Sequence, residues 1–266
     1  MTEFDLKKLL DKIRREKPLV HNITNYVVMN FTANTLLAMG ASPVMAHAQE
    51  EVEEMAALAG SLVINIGTLS APWIEAMMKA GRKANSLGVP VVLDPVGSGA
   101  TSLRTQTSRR IARELKVAIV RGNASEILSL ASEGTVTKGV DSAHSVEDAV
   151  LAGTQIAKQI NSVVAITGKE DLITDGAKVI RCRNGHPMMG TITGTGCAAT
   201  AAIAAFAAVT KDPLEAAAAG LAFFGLAGEL AAERAKSPGS FAVALLDALY
   251  EITPEELQRR ALLDKG

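Results

Sequence analysis

The sequence predicts an α/β fold in which a mostly parallel sheet is flanked by helices on both faces. Three observations predict it. Short continuous apolar runs, such as Leu62-Val-Ile-Asn-Ile66 and Val163-Val-Ala-Ile-Thr167, alternate with longer helical patterns, as strands buried on both faces do. Most of these runs end in polar, glycine-bearing loops. Finally, Ile192-Thr-Gly-Thr-Gly-Cys197 opens an alanine-rich stretch to Val209, so a tight glycine turn leads straight into a strong helix former.

Taken in order, Phe4 to Arg15 reads as a short surface helix. From Pro18 to Asn30 polar and apolar residues mix without clean periodicity, and a helix is expected from about Asn25 to Met39, stopped by Gly40. Pro43-Val-Met-Ala46 reads as a strand and Glu50 to Ala59 as a helix closed by Gly60. The strand at 62–66 follows, then a helix with Pro72 in its first turn that runs to about Ser86. Val89 to Asp94 and Val117 to Val120 are strands around a helix over about 103–115. A helix from Val146 to Gln159 precedes the strand at 163–167, and Asp175-Gly176 suggests the turn of an antiparallel hairpin between Ile173 and Val179-Ile-Arg-Cys182. After the alanine helix, Pro213 to Arg234, Phe241 to Tyr250 and Pro254 to Leu263 read as helices. No linker or repeat divides the 266 residues, so a single domain is expected.

Composition narrows the class. Hydrophobic residues at 48% and charged residues at 21% suit a globular chain, and a net charge of −1 gives no case for nucleic acid or an anionic membrane as partner. Aromatic residues at 3% leave no stacking platform for single strands. Lys211, Asp212, Pro213 and Glu215 interrupt the apolar region after Ala198, which reads as two packed soluble helices. Cys182 and Cys197 have neither zinc nor disulfide spacing, and the charged N-terminal pattern is no signal peptide, so the cytoplasm is expected. His21, His47, His144 and His186 are scattered and show no metal spacing.

The chemistry collects at the carboxyl ends of the strands, where open α/β sheets bind ligands. Those ends deliver Asn65 and Gly67, then Asp94-Pro-Val-Gly-Ser-Gly99, Arg121-Gly-Asn-Ala-Ser-Glu126 and Thr167-Gly-Lys169. The glycine turn at 194–196 adds unpaired N–H groups at the positive end of a helix dipole, a ready anion site. Asp94 and Glu126 are two carboxylates that suit Mg2+, although each alone also reads as a turn former or a helix first-turn residue. Arg121 can clasp phosphate oxygens or be a surface charge. Asn22, Asn25, Asn30 and Asn34 supply either caps and turns or a polar ligand pocket. Cys197 is either a small helix starter or the group beside a reacting hydroxyl; a helix terminus lowers its pKa and a nearby triphosphate raises it. Together these residues favour a nucleotide-phosphate enzyme.

His21-Asn-Ile-Thr-Asn-Tyr-Val27, Asp94-Pro-Val-Gly97, Gly122-Asn-Ala-Ser-Glu126, Thr167-Gly-Lys169 and Gly194-Thr-Gly-Cys197 fall in order over most of the chain. In this combination the sequence resembles the hydroxyethylthiazole kinases of thiamine salvage, within the ribokinase-like superfamily. The resemblance implies a single-domain, three-layer ribokinase-like fold and ATP-dependent phosphorylation of the primary hydroxyl of 5-(2-hydroxyethyl)-4-methylthiazole. It implies that Arg121, Thr167 and Asn123 bind the nucleotide, that Met45, Gly194 and Asn25 bind the thiazole, and that Asp94 and Glu126 hold Mg2+. Gly194, Gly196 and Cys197 would form the catalytic anion-hole loop. A homotrimer with sites between subunits is implied too, so residues near Asn25 and Met45 would serve a neighbour's site. Most of the superfamily carries aspartate where this chain has Cys197; the expectation is that the thiol positions the alcohol while substrate phosphate or solvent takes the proton. Rival readings on the same fold are a dehydratase of damaged nicotinamide cofactors, a hydroxymethylpyrimidine kinase and a nucleotide sensor without catalysis.

Overall fold

A computed structural model describes residues 4–131 and 146–265; His144 lies outside them. One sheet of nine strands forms the centre. The strands are β1 (Leu19–Ile23), β2 (Ser42–Met45), β3 (Ser61–Asn65), β4 (Val91–Asp94), β5 (Ile119–Asn123) and β6 (Val163–Thr167), followed by β7 (Asp171–Thr174), β8 (Val179–Cys182) and β9 (Leu263–Lys265). Their order is β2-β1-β3-β4-β5-β6-β7-β8-β9. The first six are parallel; β7, β8 and β9 add antiparallel pairs at one edge.

Side chains alternate across the sheet and build two cores, so the expected α/β architecture of a mostly parallel sheet between helices is what the chain forms. Val63, Val92, Ile119 and Ala165 face one core, which contains the helices α1 (Leu6–Glu16), α2 (Met29–Met39), α8 (Thr195–Ala207), α9 (Pro213–Arg234) and α10 (Pro238–Glu251). Leu62, Ile64, Leu93, Val120 and Ile166 face the other. There they pack against Trp73, Met77 and Met78 of α4 (Ala71–Leu87), Ile111 of α5 (Ser102–Glu114) and Ile156 of α7 (Val146–Ile160). The helices α3 (Val52–Leu58), α6 (Ala124–Leu128) and α11 (Pro254–Arg260) complete the chain.

Alanine in α8 and α9 lets two backbones approach. A Cβ on Gly220 would lie 2.6 Å from the Ile203 Cα, so that position admits no side chain without separating the pair. α9 is long and apolar enough to cross a membrane, yet 89% of its most apolar window is buried in the protein, as for a core helix.

Two expectations fail. The stretch before Asn25 is not irregular: Leu19–Ile23 is strand β1, and α2 starts only at Met29. Buried His21 and Asn22 hid it, because polar side chains break the apolar run that marks such a strand. At the other end the helix expected to Leu263 stops at Arg260, and Leu263–Lys265 pairs with β8. That pairing joins residues far apart in sequence, which no local pattern encodes.

Candidate active site

Because β1 lies between β2 and β3, the chain runs outward to opposite sides from it, and a crevice opens at the carboxyl ends there. A cleft of about 420 Å³ occupies that place. Strand periodicity explains which side chains reach it. Val63, Val92, Ile119 and Ala165 face the α8 core, so Asn65, Asp94, Arg121 and Thr167, each two residues further on, project to that same side. The register sets Asn65 beside Asp94 and Asn123 beside Thr167.

The structure brings Asn25, Asp94, Arg121, Asn123, Glu126, Gly194, Gly196 and Cys197 together around the cleft. Thr167 does not line it but accepts a 2.6 Å hydrogen bond from Arg121 Nη2. Met45 does not line it either; it sits on β2 opposite Asn22.

Asp94 is fully buried. Its Oδ2 accepts from Asn65 Nδ2 at 2.7 Å and Thr200 Oγ1 at 3.0 Å, while Oδ1 is buried without a partner among the described residues. Burial pushes this carboxyl up to about 6; Arg121 and the hydrogen bonds of Thr200 and Cys197 pull it back, and Glu126 adds to the rise. Asn25 Nδ2 donates to Asn65 Oδ1 at 2.8 Å and to Cys197 Sγ at 3.6 Å. Burial, then the charge of Asp94, pushes the Cys197 thiol up to about 12, against the opposing hydrogen bonds of Asn65 and Asn25 and the charge of Arg121. The helix terminus does not win here. A thiol held this high is protonated at neutral pH and poorly suited to take a proton.

The start of α8 lines the same cleft, and its free N–H groups suit an anion. Gly194 caps α8 in the left-handed region, φ +89°, and no side chain caps the first-turn N–H groups. A Cβ on Gly194 would lie 2.9 Å from Val28 Cγ1, and one on Gly196 would lie 2.6 Å from Arg121 Nη1. Gly194 is therefore required by its backbone and by Val28, while Gly196 leaves room for the guanidinium to lie against the helix start. Arg121 Nε is buried without a partner among the described residues.

Glu126 closes a capping box with Asn123: Oε2 accepts from Asn123 N at 2.9 Å, and Asn123 Oδ1 accepts from Glu126 N at 2.9 Å. Its Oε1 accepts from Gly97 N at 2.8 Å. No group of three or more His, Cys, Asp or Glu side chains is placed to cage a metal among the described residues. Mg2+ needs no such cage, since it commonly takes one or two carboxylates with phosphate and water oxygens. The unpartnered Asp94 Oδ1 and the spare lone pairs of Glu126 fit that donor set. The described histidines have other work: His21 bonds Ala46 O at 2.7 Å, His47 packs tilted against Trp73, and His186 Nδ1 accepts from Met188 N.

Two supports escaped the sequence reading. Thr200 lies inside the alanine run, one helical turn after Cys197, and this i, i+3 spacing was the available signal. Arg104 donates to the carbonyls of Ile66, Val96 and Gly67 at 3.2, 2.6 and 2.8 Å and ties the loops after β3 and β4 together. A lone arginine in a helix gives no such signal.

A cleft at a parallel sheet's crevice, with an uncapped helix N-terminus and an arginine near buried amides and a carboxylate, holds the kinds of group that phosphoryl transfer uses. Among solved structures the fold matches a ribokinase-like superfamily protein from Enterococcus faecalis, with TM-score 0.65, 14% identity and coverage of 91% and 93% of the two chains. A hydroxyethylthiazole kinase protein from Pyrococcus horikoshii superposes with TM-score 0.91, 47% identity and 98% coverage of each chain. The hydroxyethylthiazole kinase of Desulfotalea psychrophila is 59% identical over 250 residues, 94% of this chain and 92% of its relative. The hydroxyethylthiazole kinase family profile matches residues 10–255. The chain belongs to the hydroxyethylthiazole kinase family: it is a ribokinase-like kinase that acts on a small molecule with ATP as co-substrate.

Proposed function

We propose that this chain transfers the terminal phosphoryl group of ATP, in line, to the primary hydroxyl of 5-(2-hydroxyethyl)-4-methylthiazole in thiamine salvage. One observation carries the reading. The uncapped start of α8 and Arg121 line the same cleft as the buried Asn25 and Asp94, with Asn65 hydrogen-bonded to both behind it. The N–H groups at 194–197 stabilise charge on the transferring phosphoryl group, which needs donors already in place and not reorganised during reaction. Arg121 pairs with phosphate oxygens; Thr167 holds the guanidinium, and Asn123 borders the nucleotide.

Asp94 and Glu126 would hold Mg2+, directly or through water, and the ion when bound would neutralise charge on the phosphate oxygens. Asn25 and Gly194 border the thiazole. Cys197 stays a thiol and positions the alcohol, whose proton leaves to substrate phosphate or solvent. Met45 serves a neighbouring subunit in a homotrimer with sites between subunits. Support for that assembly comes from its place off the chain's own cleft and from Val27, which lines that cleft yet is 69% exposed, next to Tyr26 at 63%. The chain acts as one domain in the cytoplasm, where two free thiols are at home.

The test is ADP release with Mg2+ and ATP, with and without the thiazole, and the mass of the product. Thiazole-dependent release and a gain of one phosphate are expected. Thiazole binding without release would leave a sensor, and release indifferent to thiazole would mean another acceptor.

A further inference from the structure

We infer that Asn65 is a positioning residue that fixes the polarity of the Asn25 amide, so that Asn25 offers the acceptor substrate a hydrogen-bond acceptor and no donor. The inference rests on the reading of the cleft as the alcohol site and adds what selects the alcohol.

The polarity follows from one backbone group. Gly67 N lies 2.9 Å from the Asn65 side chain, and a backbone N–H can only donate, so the Asn65 atom facing it is Oδ1. That places Nδ2 on the other side, 2.7 Å from Asp94 Oδ2, where a carboxylate can accept it. Asn25 also meets Asn65 at Oδ1, at 2.8 Å, so Asn25 must present Nδ2 there. Its second N–H points to Cys197 Sγ at 3.6 Å. Both donors of the Asn25 amide are thereby committed, and among the described residues only Oδ1 of that amide is left without an intramolecular partner. Asn65 is 1% and Asn25 4% exposed, so water does not compete for these bonds. The close approach needs glycine at 67, where a Cβ would lie 2.6 Å from Asn25 Nδ2.

A ligand that meets Asn25 must therefore bring an O–H or N–H. A hydroxyl satisfies Oδ1 and turns its lone pairs away from Asn25. A group of the same size that only accepts meets an acceptor and loses a hydrogen bond.

The experiment compares binding of 5-(2-hydroxyethyl)-4-methylthiazole with its 2-fluoroethyl analogue, without ATP, by calorimetry. In the wild-type protein the fluoro compound is expected to bind about fivefold more weakly, the loss of one neutral hydrogen bond. Asn65→Leu frees the Asn25 amide to turn its N–H outward, and the preference is expected to shrink to about twofold or less. Asn65→Asp keeps an acceptor for Gly67 N and Asn25, and the preference is expected to survive. If both variants keep the preference, or both lose it, Asn65 does not set the polarity and the inference falls.

Should either variant fail to fold, wild-type nuclear magnetic resonance decides. Both Asn25 side-chain amide protons are expected to be protected from solvent exchange before any ligand is added, and rapid exchange of either would overturn the inference. A protein that binds no thiazole would sink the functional reading alone, because that exchange measurement needs no ligand.

Discussion

The two walls of the cleft are made differently. On the side proposed for the acceptor, Asn25, Asn65, Asp94 and Thr200 are 4% exposed or less and hold one another by side-chain hydrogen bonds. On the side proposed for the nucleotide, Asn123 is exposed, Arg121, Glu126 and Thr167 are half-buried, and the start of α8 offers backbone N–H groups. Low dielectric strengthens the first set and makes each unpaired atom expensive, so it fixes geometry before a ligand arrives. The second set stays wet enough for a highly charged nucleotide to enter and leave. On the proposed function, the difference teaches that substrate choice is preset on the dry wall, while the wet wall supplies charge.

Removing charge from the wet wall should have the largest effect. Arg121→Ala is expected to lower kcat/KM for ATP by about 10²–10³-fold, as loss of a transition-state donor does. Gly196→Ala should act in the same direction by displacing the guanidinium. Steady-state kinetics check both, and a loss under tenfold would break the assignment of Arg121.

Asp94→Asn is expected to cut turnover by about a hundredfold and to raise stability. The folded protein holds this carboxyl at about 6, above its unfolded value of 3.8. The folded state thus binds the proton more tightly, so the wild type gains stability as pH falls from about 6 towards 4 and carries the full burden of a buried charge above 6. Two units amount to about 3 kcal/mol at neutral pH. The asparagine variant should melt several degrees higher at pH 7 and lose that advantage near pH 4. Parallel melting curves at both pH values would contradict the burial argument.

The smallest change is expected from Cys197→Ala. A thiol at about 12 titrates outside the working range. Turnover should fall by about tenfold or less, and the pH–rate profile between pH 6 and 9 should keep its shape. A basic limb that vanished with the sulfur would make Cys197 the proton acceptor after all.

Much of this was legible in the sequence because it is local. Apolar runs with polar ends put Asn65, Asp94, Arg121 and Thr167 at the carboxyl ends of the strands, and the glycine turn before the alanine run marked the start of α8, which the structure brings to the same cleft. What escaped depends on partners distant in the chain. Strand β1 was masked by His21 and Asn22, and β9 exists only through its pairing with β8. The capping box gave Glu126 a second, structural task that its sequence neighbours do reveal. The polarity of Asn25 depends on the backbone of Gly67, which approaches Asn65 only in the folded chain.

The most direct measurement of the central claim is the affinity of each ligand, taken separately, in two variants. If the walls divide the work, Arg121→Ala should weaken ATP binding and leave thiazole binding unchanged, whereas Asn25→Leu should weaken thiazole binding and leave ATP binding unchanged. Equal losses for both ligands in either variant would contradict the division.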